Sequence, residues 1–138
     1  MRWPDGITKR NLMTWHNWNE ILLFRDSQGH QDWTFGFHGS MLANNENWIT
    51  IGTFNDPTIQ LPEYHVFEDE IVQVSTDGSQ RFRRIAHTRA RIDNPKTEYW
   101  SMPKPTISKD GQFIAFTSNW EKTIGRYDLF IVRIPPAP

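Results

Sequence analysis

The chain has 138 residues, 15 Lys and Arg against 16 Asp and Glu, seven Trp and no Cys. Its length suits one domain, and its near-zero net charge removes the electrostatic pull toward nucleic acid or an anionic membrane. Without Cys there is no disulfide frame, thiolate metal site or thiol nucleophile. No run of about 18 apolar residues marks a membrane span. The opening MRWPDGITKR lacks the apolar stretch of a secretory signal, so a soluble chain of unassigned compartment is expected.

Short runs rich in Ile, Val, Phe, Trp and Thr, bounded by turn-forming clusters, predict strands throughout. In chain order they fall at about 19–25, after a further strand within 9–15, then 31–37, 39–43, 47–54, 69–74, 81–87, 104–108, 112–118 and 127–134. Asn44–Asn47, Thr76-Asp77-Gly78 and Lys109-Asp110-Gly111 read as hairpin turns, the first through the tolerance of Asn for left-handed backbone. Helical spacing is never sustained over three turns. The predicted class is all-β. Two connections are long, Asn55 to Glu68 and Thr88 to Pro103, and such loops more often carry function than merely join strands.

The runs also repeat. Asn19–Phe24 recurs as Asp69–Val74 and, as a third strand of the kind, Asp128–Val132; Met41–Ala43 with Trp48–Thr53 recurs as Thr106–Ser108 with Phe113–Ser118. Ordered agreement of both units is the signature of a repeat architecture. Ile114, Phe116, Ile71, Val74, Leu22 and Phe24 are the expected buried faces.

Pro105-Thr106-Ile107-Ser108-Lys109-Asp110-Gly111-Gln112-Phe113-Ile114-Ala115-Phe116-Thr117-Ser118, followed by Asp128–Val132, resembles a blade of the TolB-like β-propellers. The resemblance is strongest over 99–134 and implies four-stranded antiparallel blades stacked about a channel. It divides the single domain into a partial blade at 9–37, a full blade at 38–88 and a partial blade at 99–134, about two and a half in all. A propeller needs more, so self-association or the remainder of a larger propeller is expected to complete the ring.

His38 and His87 fall at matching repeat positions, each read as ending a blade's last strand. They are either structural or a divalent-metal pair, a reading that the similarity to oligogalacturonate lyase-type propellers implies. His16, in the cluster Trp15-His16-Asn17-Trp18, and Trp100 offer aromatic faces for a carbohydrate or a subunit interface. Trp33, Trp48 and Trp120 read as core. Arg89 and Arg91 end a basic run, Arg81 to Arg91, that would suit an acidic sugar. No phosphate loop, nucleophile elbow or zinc-protease motif occurs.

The sequence therefore favours a non-enzymatic binding and assembly module without a cofactor. The alternative is a metal-dependent, lyase-like enzyme acting on acidic sugars.

Overall fold

The computed structural model describes residues 7–10, 18–22, 35–55, 67–77, 79, 81–94, 96–121 and 125–136. Within them the chain is all-β, its one helical piece a 3-10 turn at Tyr99–Ser101. Strand β1 (Ile7–Arg10) pairs antiparallel with β2 (Trp18–Leu22). Strands β3 (Phe35–Ser40), β4 (Trp48–Asn55), β5 (Glu70–Ser75) and β6 (Phe82–His87) form a four-stranded antiparallel meander in chain order. Strands β7 (Thr106–Ile107), β8 (Phe113–Ser118) and β9 (Asp128–Arg133) form a three-stranded one. Among the described residues no helix is long and apolar enough to cross a membrane.

The turns follow from local chemistry. Between β7 and β8, Gly111 takes φ +71° and donates its N–H to the Ser108 carbonyl at 2.9 Å. After β5, Asp77 accepts the Ser79 N–H at 2.9 Å and the Arg81 guanidinium at 2.7 Å. At Asn44–Asn47 the expectation needs correction, because none of these residues is left-handed. The Asn45 side chain builds the turn instead, accepting the Asn47 N–H at 2.9 Å.

Strand β3 also corrects the sequence reading. Over the described residues of the strands expected at 31–37 and 39–43, the chain forms one strand, Phe35–Ser40, which runs through the expected break at residue 38 and belongs with β4; residues 31–34 lie outside the described residues. Ser40 lies opposite Thr50 as Thr106 lies opposite Ala115. Ser40, rather than Met41, is thus the counterpart of Thr106. The turn before β4 is one residue longer than the turn before β8, and a one-residue slip exchanges the faces of a strand.

Two glycines let segments approach closely. The Phe54 ring lies over its cross-strand partner Gly36, where a Cβ would sit 2.1 Å from Phe54 Cζ. At Gly52 a Cβ would meet Pro105 Cδ at 2.8 Å, so the lead-in to β7 presses directly onto β4.

The middle sheet is covered on both faces. Ile51, Val72 and Val74 form one buried cluster, with Phe37, Ile49 and Phe67 against it. On the other face Ile71 joins Ala43, Ile107, Ile114, Phe116 and Ile134 across the two sheets. The expected burial of Ile71, Ile114 and Phe116 is met there, while Val74 belongs to the opposite face; the Leu22 side chain and Phe24 lie outside the described residues. At about 1.5–3 kcal/mol per large apolar side chain, each of these sheets leans on the other.

Strand β9 differs from its counterpart β5. Asp128 faces Ser118 just as the Glu70 N–H reaches Thr53, which places Leu129 and Ile131 where Ile71 and Gln73 stand. Ile71 and Gln73 are 0% and 1% exposed, whereas Leu129 and Ile131 are 67% and 68% exposed. Phe113 shares the open face. Beyond β9, Ile134 makes a last backbone bond to Gln112 before Pro135 and Pro136.

Candidate functional site

The connection from Thr88 to Pro105 has almost no regular structure, yet side chains pin it along its length. The Thr88 N–H and hydroxyl both donate to the Asp69 carbonyl, at 2.7 and 3.0 Å. Asn119, just past β8, accepts the Arg91 N–H at 2.8 Å and donates to the Arg91 carbonyl at 2.7 Å. The buried Glu98 carboxylate gathers the Asp93 and Asn94 N–H groups at 2.6 and 2.7 Å. The Thr117 hydroxyl donates to the Met102 carbonyl at 3.0 Å. Phe54, Ile92 and Met102 seal the underside. The end of β8 thus holds both limbs of the loop.

Backbone strain gathers at the same place. Arg89, Trp120 and Glu121 all take left-handed φ values, 51°, 51° and 59°. They also touch: the Glu121 N–H donates to the Arg89 carbonyl at 2.8 Å, and the Arg89 guanidinium lies 5.4 Å from the Trp120 ring centre. Left-handed residues other than Gly cost about 1–2 kcal/mol each and persist where their surroundings impose them.

The pinned loop turns aromatics and cations outward. Trp100 is 59% exposed and meets Tyr99 edge-on, their centroids 5.2 Å apart. Lys104 Nζ sits 3.8 Å from the Tyr99 ring centre. Trp120, expected in the core, is 41% exposed, because its left-handed backbone turns it out onto Phe130, 4.9 Å away. Beside it, Trp120, Arg126, Asp128 and Phe130 line a shallow cavity of about 400 Å³.

Of the sequence-predicted residues, the structure puts Arg89, Arg91 and Trp100 on this one connection. Both arginines already have carboxylate neighbours, Glu121 at 3.4 Å and Asp93 at 3.0 Å; exposed pairs of this kind add little stability. Trp18 begins β2 instead of lying outside the strands, and its side chain, like Trp15, His16 and Trp33, lies outside the described residues.

His38 and His87 stand on the two outer strands of one sheet, β3 and β6, with β4 and β5 between them. Three strand spacings, about 14 Å, separate those strands, too far for one ion to bridge. The difference from the expected placement arises because β3 runs unbroken through the point assigned to a blade boundary. Among the described residues no group of three or more His, Asp or Glu could hold a metal. The His38 ring stacks on Phe54 at 5.4 Å, and its Nδ1 is buried with no hydrogen-bond partner among the described residues. Burial, then the Lys104 charge, pull this imidazole below its ordinary pKa, against a hydrogen bond to the Pro103 carbonyl. His87 Nδ1 accepts the Arg89 N–H at 3.2 Å.

Among the described residues one carboxyl is pushed strongly upward. Burial pushes Asp69 up to about 7; the Asn55 N–H opposes this and the Glu68 charge adds to it. Asp69 is also left-handed, at φ 53°.

The chain matches no protein-family model, no curated protein and no solved structure. The site therefore rests on its own geometry.

Sequence reasoning passed over Asn119, Glu98 and Asp69. The run Thr117-Ser118-Asn119 was legible only as the end of a strand, and nothing local distinguishes a buried Glu98 from the exposed acids around it.

Proposed function

We propose that this chain is a non-catalytic binding and assembly module, in which propeller-type blades pack against further blades and display the pinned loop to a partner. One observation carries this reading: the open face of Phe113, Leu129 and Ile131 occupies positions that, in the middle sheet, are covered by another sheet. Apolar area of this kind favours burial at about 25 cal/mol per Å², and a second sheet is the covering already used once within the chain. Among the described residues β9 is an edge strand, whose outer backbone groups a further strand could pair. The outward Tyr99 and Trp100 suit either a protein partner or a carbohydrate.

Native mass spectrometry tests the assembly. The reading expects a discrete multiple of 16.3 kDa. It also expects the double variant Leu129→Lys, Ile131→Lys to give a monomer with unchanged circular dichroism. A folded monomer of the unaltered chain would overturn self-assembly.

A second reading, an enzyme acting on acidic sugars, draws on Asp69, whose carboxyl near pKa 7 suits proton transfer. His87 is close by, since it lies opposite Glu70 in the ladder. This reading expects β-elimination on a uronide that is lost in both Asp69→Asn and His87→Ala. Absence of turnover in the unaltered chain counts against it.

A further inference from the structure

We propose that the cleft between the middle and third sheets binds a small monocarboxylate with an apolar body, its carboxylate held by Arg83. The cleft holds about 390 Å³ and is lined by Trp48, Gln73 and Arg83 from the middle sheet and by Ile107, Ile134 and Pro135 from the third sheet and its tail, among others. That volume suits a small ligand, and apolar walls with a few placed polar groups are the usual make-up of such a site.

Arg83 is held by buried polar groups. Gln73 and Thr50 lie in the sheet interior, where an amide and a hydroxyl are costly unless bonded. Gln73 Nε2 donates to Thr50 Oγ1 at 3.0 Å, and Gln73 Oε1 accepts from Arg83 Nε at 2.9 Å. The guanidinium also lies 4.7 Å from the centre of the Trp48 ring. Three adjacent strands thus fix one cation by its Nε edge and one face. Its terminal nitrogens, which form a fork matched to a carboxylate, have no ion-pair partner among the described residues.

The repeat shows that a sheet of this kind does not require the polar pair. Thr50 lies opposite Gln73 on the middle sheet, and at the matching places of the third sheet Ala115 lies opposite Ile131. The third sheet forms the same ladder with apolar residues. The buried hydroxyl and amide therefore belong to the middle sheet's own task, and the contact they make is with Arg83. The acid in the lining, Asp110, is engaged within its own turn by the Ser108 hydroxyl and the Gln112 N–H. Arg83 is left to an outside anion, and Ile107, Ile134 and Pro135 offer apolar contact to the body of that ligand.

The test is titration of the purified full chain with benzoate, followed by the Arg83 Nε–H and Trp48 indole N–H resonances and by thermal shift. Benzamide serves as the uncharged isostere, and acetate as the carboxylate without an apolar body. The proposal expects saturable benzoate binding, with benzamide and acetate each weaker by about tenfold or more and benzoate weakened by a similar factor in Arg83→Gln. The double variant Thr50→Ala, Gln73→Ile gives the middle sheet the pair that the third already carries. It should keep its circular dichroism and bind benzoate about threefold or more weakly, because Arg83 loses its hold. No saturable change up to about 10 mM benzoate overturns the proposal, as does benzamide binding as tightly as benzoate, a comparison that needs no variant. Unchanged benzoate affinity in Arg83→Gln also overturns it. Should Arg83→Gln fail to fold, the double variant decides: unchanged benzoate affinity there overturns the proposal.

Discussion

Asn119 grips the peptide of Arg91 from both sides, accepting its N–H at 2.8 Å and donating to its carbonyl at 2.7 Å. Asn119 is fully buried, so both bonds form away from water, where a lost partner is expensive. Asn119→Ala leaves two backbone groups unpaired and should cost about 2–4 kcal/mol. Asn119→Asp keeps the acceptor but loses the donor, so it should also destabilise. Urea denaturation measures the loss, and hydrogen exchange at Arg91 should rise in both variants. Unchanged exchange would remove Asn119 as the clamp of the loop.

Gly52 marks where the third unit rests on the second. An added Cβ would meet Pro105 Cδ at 2.8 Å and Pro103 Cβ at 3.2 Å. Neither ring can swing aside as a flexible side chain would. Gly52→Ala should therefore destabilise by about 1–3 kcal/mol, although Ala suits a strand better than Gly. Chemical denaturation would read it, and a neutral result would show that the two units part easily.

Asp69 should make stability fall as pH rises. Its carboxyl titrates at about 7 in the folded chain and near the ordinary 3.8 when unfolded, so the folded state holds the proton more tightly. The benefit is complete below about pH 4 and is lost as pH climbs through about 7, on the order of 2–4 kcal/mol from this group. Asp69→Asn keeps a residue that tolerates left-handed backbone and removes the charge. It should match the parent chain near pH 4 and exceed its stability near pH 8. Parallel pH profiles of the two proteins would contradict this.

The all-β class and the turn at Lys109–Gly111 were determined by the sequence itself, because runs of β-branched and aromatic residues bounded by turns, and a glycine at positive φ, act over a few residues. The same is true of the recurrence of Asp69–Val74 as Asp128–Val132, whose registers set Glu70 and Asp128 at matching places. Tertiary structure alone decided what lies across space. It joined His38 and His87 into one sheet as its outer strands, turned Trp120 outward, and buried Glu98 beneath a loop of charged neighbours. It also set Leu129 in the open while its counterpart Ile71 is enclosed. Those outcomes depend on which face meets which and on contacts between residues far apart in the chain. A strand's own pattern says that one face will be buried; only packing says whether anything is there to cover it.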